Sequence, residues 1–100
     1  MALSVLDIHP EARTEAREAR LWYLARSEHA ATEFVRELDR AITFALEAPE
    51  RWPPYLHGTR RVIFQRFPYS LVYTADQTTV YVWAVAHASR RPGYWKERKA

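Results

Sequence analysis

The sequence predicts an α+β domain of order β-α-α-β-β-β: a strand, an antiparallel helical hairpin packed on one face of the sheet, and a three-strand antiparallel meander. Three observations predict it. Apolar residues recur at three- and four-residue spacing through the first half, alternation with a period of two governs the second half, and short turn signals separate the later segments. The chain has 100 residues, of which 48% are hydrophobic and 14% aromatic. That length suits one domain over residues 1–100, and the composition suits a packed core rather than a disordered tail. A chain of this size buries only about two thirds of its unfolded surface, so the core is thin.

The segment "ALSVLDIH" places Leu3, Val5 and Asp7 against Ser4, Leu6 and Ile8, as a short strand covered on both faces would. Pro10 follows where a first helical turn tolerates a missing N–H, and Glu11 adds negative charge at the positive helix end. On a helical wheel Ala12, Ala16, Ala19 and Tyr23 form one stripe, flanked by Glu11, Glu15 and Glu18 on one side and Arg13, Arg17 and Arg20 on the other. A stripe of alanine lets a neighbour approach closely. Ser27 is the N-cap expected for a second helix. There Ala31, Phe34, Val35, Leu38, Ala41, Ile42, Ala45 and Leu46 face inward, with Glu33, Arg36, Glu37, Asp39 and Arg40 on the outer face. Pro49 ends this helix, and "APERWPPYLHGT" reads as a loop.

Three strands follow. "RRVIFQRF" alternates Val62, Phe64 and Arg66 against Arg61, Ile63, Gln65 and Phe67; "YSLVYTA" continues after Pro68; "TTVYVWAVAH" alternates Val80, Val82, Ala84 and Ala86 against Tyr81, Trp83, Val85 and His87. Short links make these strands antiparallel neighbours, and the first strand crosses over to join them. "RPGYWKER" has room for one terminal helical turn, with Trp95 folding back as an aromatic plug.

Cysteine is absent, which excludes disulfides, thiolate metal sites and thiol nucleophiles. No apolar run approaches the ~20 residues of a membrane helix, and no signal peptide is recognisable, so a soluble cytoplasmic protein is expected, with no membrane partner. His9, His29 and His57 lack metal-ligand spacing; neither metal nor cofactor is expected.

The net charge is +3, and arginine supplies most of the cations. The excess gathers in the C-terminal half, where Arg60, Arg61, Arg66, Arg90, Arg91, Lys96, Arg98 and Lys99 face only Asp76 and Glu97. Guanidinium groups bind phosphate and carboxylate through paired donors, so an anionic partner fits this half. Arg60, Arg90, Arg91, Lys96 and Arg98 are its candidate contacts. His87 ends the last strand, Arg61 and Arg66 lie on the second, and Tyr94 is in the tail. Together they offer a group that titrates near neutrality, two phosphate clamps and a phenol. As a set they suit contact with a phosphate-bearing partner. Equally, Arg60 and Arg61 suit an edge strand protected by charge, and His87 a hydrogen-bonded strand end.

In chain order, "HPEARTEA", "FPYSLVY" and "VAHASRRPGYW" resemble the RelE/ParE superfamily of bacterial toxins from type II toxin–antitoxin modules, proteins also known for plasmid stabilisation. The resemblance spans essentially the whole chain. It implies a growth-inhibiting toxin neutralised by a cognate antitoxin that wraps a tail around sheet and helices. Two targets divide the superfamily. RelE-like members are mRNA interferases that cut messenger RNA on the ribosome and need a base, an acid and phosphate-binding cations. ParE-like members poison DNA gyrase and need no catalytic group. Here no lysine precedes Lys96, whereas classical RelE-like nucleases carry dense lysine and arginine on the second strand. The "FPY" corner and "RRPGYW" end are closer to ParE-like members, so the resemblance implies gyrase inhibition. A RelE-like nuclease using His87, Tyr94, Arg61 and Arg66 is the alternative, and an inactive antitoxin-binding relative is a third.

Overall fold

In a computed structural model, which describes residues 3–99, the chain follows the expected order: β1 (Val5–Ile8), α1 (Pro10–Leu24), α2 (Glu28–Glu47), β2 (Arg60–Ile63), β3 (Tyr69–Ala75) and β4 (Thr79–His87). Ala2, within the predicted first strand segment, lies outside the described residues. The sheet order is β1-β4-β3-β2, with β1 parallel to β4 and the other pairs antiparallel. The crossover through the hairpin creates the parallel pair, since β1 returns beside the last strand. No helix among the described residues is long and apolar enough to cross a membrane.

The helix starts are fixed locally. Pro10 opens α1, and the preceding His9 caps it, its Nδ1 accepting the Glu11 N–H at 3.1 Å. Ser27 caps α2 through the Ala30 N–H at 3.2 Å. Both helices pack on one face of the sheet. Ala12, Ala19, Phe34, Ala41 and Ala45 meet Leu71, Tyr73, Val80, Val82 and Val85 in the main core. Tyr23, Phe67 and Tyr69 pack around the fully buried Phe34, with ring centroids 5.1 to 5.5 Å from it.

Five expectations require correction. β1 is an edge strand rather than one covered on both faces, and Val5 and Leu6 remain exposed. The second strand stops at Ile63, leaving Arg66 in the following bend. Its cause is Glu37, which is buried and not on the outer face of α2: its carboxylate accepts the Gln65 N–H at 2.7 Å and the Arg66 N–H at 3.0 Å. Those two amides therefore satisfy a helix side chain instead of a strand ladder. On β4 the predicted alternation breaks, because Val72 pairs with Ala84 while Tyr73 pairs with Val82. Trp83 is the extra residue of a β-bulge, so Val80 and Val82 face the helices before it and Val85 after it. Finally, the tail forms successive turns rather than a helix, linked by Tyr94 N–H to Arg91 O, Lys96 N–H to Gly93 O and Arg98 N–H to Trp95 O.

Candidate functional site

The alanine stripe brings α1 close enough to the sheet for Glu15 to reach it. β1 ends opposite Val82, so the next outward amide of β4, that of Val85, has no strand to donate to. Glu15 Oε1 accepts it at 3.0 Å. The tail supplies the other half of this edge, since Arg98 donates to the Trp83 carbonyl at 2.9 Å and to both Glu15 oxygens at 3.0 and 2.9 Å. An ion pair thus continues the polar contacts of β4 where β1 stops. Tyr94 completes the cluster, its hydroxyl donating to Glu15 Oε2 at 2.6 Å. Burial, followed by the bond to Glu15, pushes the Tyr94 phenol well above the ordinary tyrosine range. For Arg98, burial opposes the charge, but the bonds to Glu15 outweigh it and raise the pKa. Side chains of 9% and 13% exposure make this a shielded pair.

On the sheet face away from the helices the same tail builds a second, smaller core. Trp95, at 4% exposure, joins Val72 and Ala84, with Tyr55, Trp83, Ala86 and Tyr94 around it. Trp95 is therefore the plug that the sequence suggests. Its ring stacks on Tyr55 at 5.5 Å and 26°, and Arg61 lies over Tyr55 at 3.9 Å. The backbone reaches this position through Gly93, at φ +80°, which rests against His57.

His87, Tyr94 and Arg61 line one groove on the open face of the sheet, with Arg66 outside it, and each makes its own local contact. His87 ends β4 as expected, lies edge-on to Tyr69 with centroids 5.0 Å apart, and accepts at Nδ1 from the Ser89 N–H at 2.9 Å. Tyr94 bonds Glu15, Arg61 covers Tyr55, and the Arg66 side chain is exposed in the bend after β2. No hydrogen bond or ion pair links these four among the described residues. Of the other cations, Arg60 is half-buried and donates to the Trp52 carbonyl at 2.6 Å, and Arg98 is held by Glu15. Arg90 remains exposed over the Tyr94 ring at 3.8 Å, with Glu15 3.9 Å away. Arg91 and Lys96 are exposed.

Glu15 and Glu37 organise the site and its approach, yet sequence reasoning missed both. Each sits in a helix rich in exposed charge, and the amides that they bind lie 70 and 28 residues away. Only the alanine stripe beside Glu15 hinted that this flank comes near the sheet.

The chain resembles known proteins at two levels. In structure it superposes on a chain of the chromosomal ParDE TA system from P. aeruginosa with a TM-score of 0.73, at 11% identity, covering 87% of this chain and 98% of that one. At such identity the likeness speaks for the fold. No curated protein sequence matches significantly. In sequence, residues 6–92 match the family described as the ParE toxin of the type II toxin–antitoxin system parDE. With that match extending over most of its length, the chain belongs to the ParE toxin family of type II toxin–antitoxin systems.

Proposed function

We propose that this toxin arrests bacterial growth in the cytoplasm by binding DNA gyrase, without chemistry of its own, and that a cognate antitoxin neutralises it. The observation that carries this reading is the state of His87. A backbone N–H can only donate, so the Ser89 amide at 2.9 Å fixes Nδ1 as the acceptor and leaves the ring proton on Nε2. A neutral His87 so held offers a donor, not the lone pair that a general base for a 2′-hydroxyl needs.

The remaining nuclease candidates support the same reading. Tyr94 donates its proton to Glu15, and Arg61 lies against Tyr55. Arg66 lies in a bend rather than beside Arg61 on β2. Phosphoryl transfer requires the base, acid and cations to converge on one phosphate. His87, Tyr94 and Arg61 line one groove, but Ser89, Glu15 and Tyr55 already engage them, and Arg66 lies outside it, which supports a protein that acts by docking.

Induced expression of wild-type protein and of His87→Gln tests the proposal. Gyrase complexes holding cleaved DNA are expected to accumulate equally with both. Mapped messenger breaks that disappear in His87→Gln would instead support the ribosome-dependent nuclease. Unimpaired growth with folded protein present would support an inactive relative.

A further inference from the structure

A cavity of about 450 Å³ opens between α1, the corner before β3 and the end of β4. That volume is the size of a small-molecule site. Pro68 gives it an apolar wall, and Tyr23 and Tyr69 line it from the helical layer and the sheet. Burial raises the pKa of both phenols, so each keeps its proton at neutral pH and can donate it. Glu18 and Trp22 line it from α1 and are exposed. Neither the two phenol hydroxyls nor the Glu18 carboxylate has a hydrogen-bond or ion-pair partner among the described residues.

The charges stand at different points along the cavity. Arg90 lies beside Glu15, 3.9 Å from its Oε2. Glu15 is already engaged by the Val85 amide, Tyr94 and Arg98, so the exposed Arg90 guanidinium keeps donors for a ligand. Trp22 lies about 10 Å further along α1 than Glu15, at 1.5 Å per residue. Arg26 covers one face of its ring at 3.4 Å and Tyr23 meets it edge-on, but no ring stacks on it, and the side chain is 54% exposed. An indole so placed offers a surface on which a flat base stacks.

The neighbouring Glu18 decides which base. A carboxylate can only accept, so the ring must present N–H donors to it. Guanine offers two side by side on its pairing edge, N1–H and N2–H, which match the two carboxylate oxygens. Adenine would set the lone pair of its N1 against one of them. At the Arg90 end the requirement reverses, because a guanidinium there calls for an anion such as phosphate. A nucleotide carries both features on one ribose, and the volume suits one nucleotide rather than a strand.

We propose that this cavity binds a free guanine mononucleotide, with the base stacked on Trp22, its N1–H and N2–H donated to Glu18, and the phosphate held by Arg90. The site does not depend on gyrase as the target, since a toxin of either class or an inactive relative would carry it.

The test titrates the full chain with guanosine monophosphate, adenosine monophosphate, guanosine and the dinucleotide GpA, following the indole N–H resonance that Trp22→Phe removes. Guanosine monophosphate is expected to move that resonance, and adenosine monophosphate to bind about tenfold more weakly, as loss of a bidentate pair does. Glu18→Gln should weaken guanosine monophosphate about tenfold and leave adenosine monophosphate no weaker. Arg90→Ala should weaken guanosine monophosphate about tenfold and leave guanosine unchanged, with circular dichroism confirming the fold of each variant. No shift with guanosine monophosphate, equal binding of the adenine nucleotide, or equal loss of guanosine and its monophosphate in Arg90→Ala would each overturn the proposal. Tighter binding of GpA than of the mononucleotide would assign the site to RNA and overturn it as well.

Discussion

The Tyr94 hydroxyl lies 2.6 Å from Glu15 Oε2, joining the C-terminal tail to the first helix across 79 positions of sequence. Through that carboxylate the tail also reaches the open end of β4, because Glu15 holds the Val85 amide and Arg98 holds the Trp83 carbonyl. One side chain thus links the helical layer, the sheet edge and the segment that bears Arg90 and Arg91.

Removing Glu15 should therefore cost far more than removing a surface charge. Glu15→Gln leaves shielded Arg98 with only the exposed Glu11 carboxylate, 3.7 Å away, a defect of about 3 kcal/mol. Tyr94→Phe removes only one hydrogen bond, for about 1–2 kcal/mol. Because both act through one network, the double variant should lose less than the sum of the two, which a double-mutant cycle by urea unfolding will reveal.

Glu37 makes a similar prediction at the other side of the domain. Glu37→Ala should destabilise the fold by about 2–4 kcal/mol, because the Gln65 and Arg66 amides both lose their acceptor. Hydrogen exchange should quicken first at those two amides, while β3 and β4 stay protected.

These two glutamates also mark where the sequence became illegible. Pro10 and Ser27 act on their own neighbours, so the starts of α1 and α2 could be read directly. Glu37 looked exposed because its helical phase matches that of charged residues, and nothing near it announces two amides beyond β2. The bulge at Trp83 was equally hidden. Apolar residues on both sides of it satisfy a period of two, and only pairing with β3 exposes the slip. His87 was correctly placed at the end of β4, but its tautomer depends on the turn that returns Ser89 to it.

Alkaline conditions should unfold the protein through its shielded phenols. Burial raises the Tyr73 pKa to about 12, and its hydroxyl donates to the Pro49 carbonyl at 2.7 Å. Tyr94 shifts in the same direction. A folded pKa above the unfolded one means that the unfolded chain releases its proton first. Stability should be full below about pH 10 and fall as the pH rises through 12. Urea midpoints measured alongside tyrosinate absorbance will check this, and Tyr73→Phe should flatten the decline.

At Gly93 backbone and contact geometry combine. An added Cβ would meet His57 Nε2 at 2.8 Å, at a φ of +80°. Gly93→Ala should cost about 1–3 kcal/mol and loosen Trp95. His57→Gly in the same chain should restore only part, because it relieves the contact but not the strain at Gly93. Trp95 fluorescence and the thermal midpoint report the two effects.

Purified DNA gyrase offers the most direct test of a toxin that acts by docking. Wild-type protein and His87→Gln are predicted to block supercoiling to the same extent and to leave DNA cleaved in complex with the enzyme. Unimpaired supercoiling, together with ribosome-dependent messenger cleavage that His87→Gln abolishes, would contradict it.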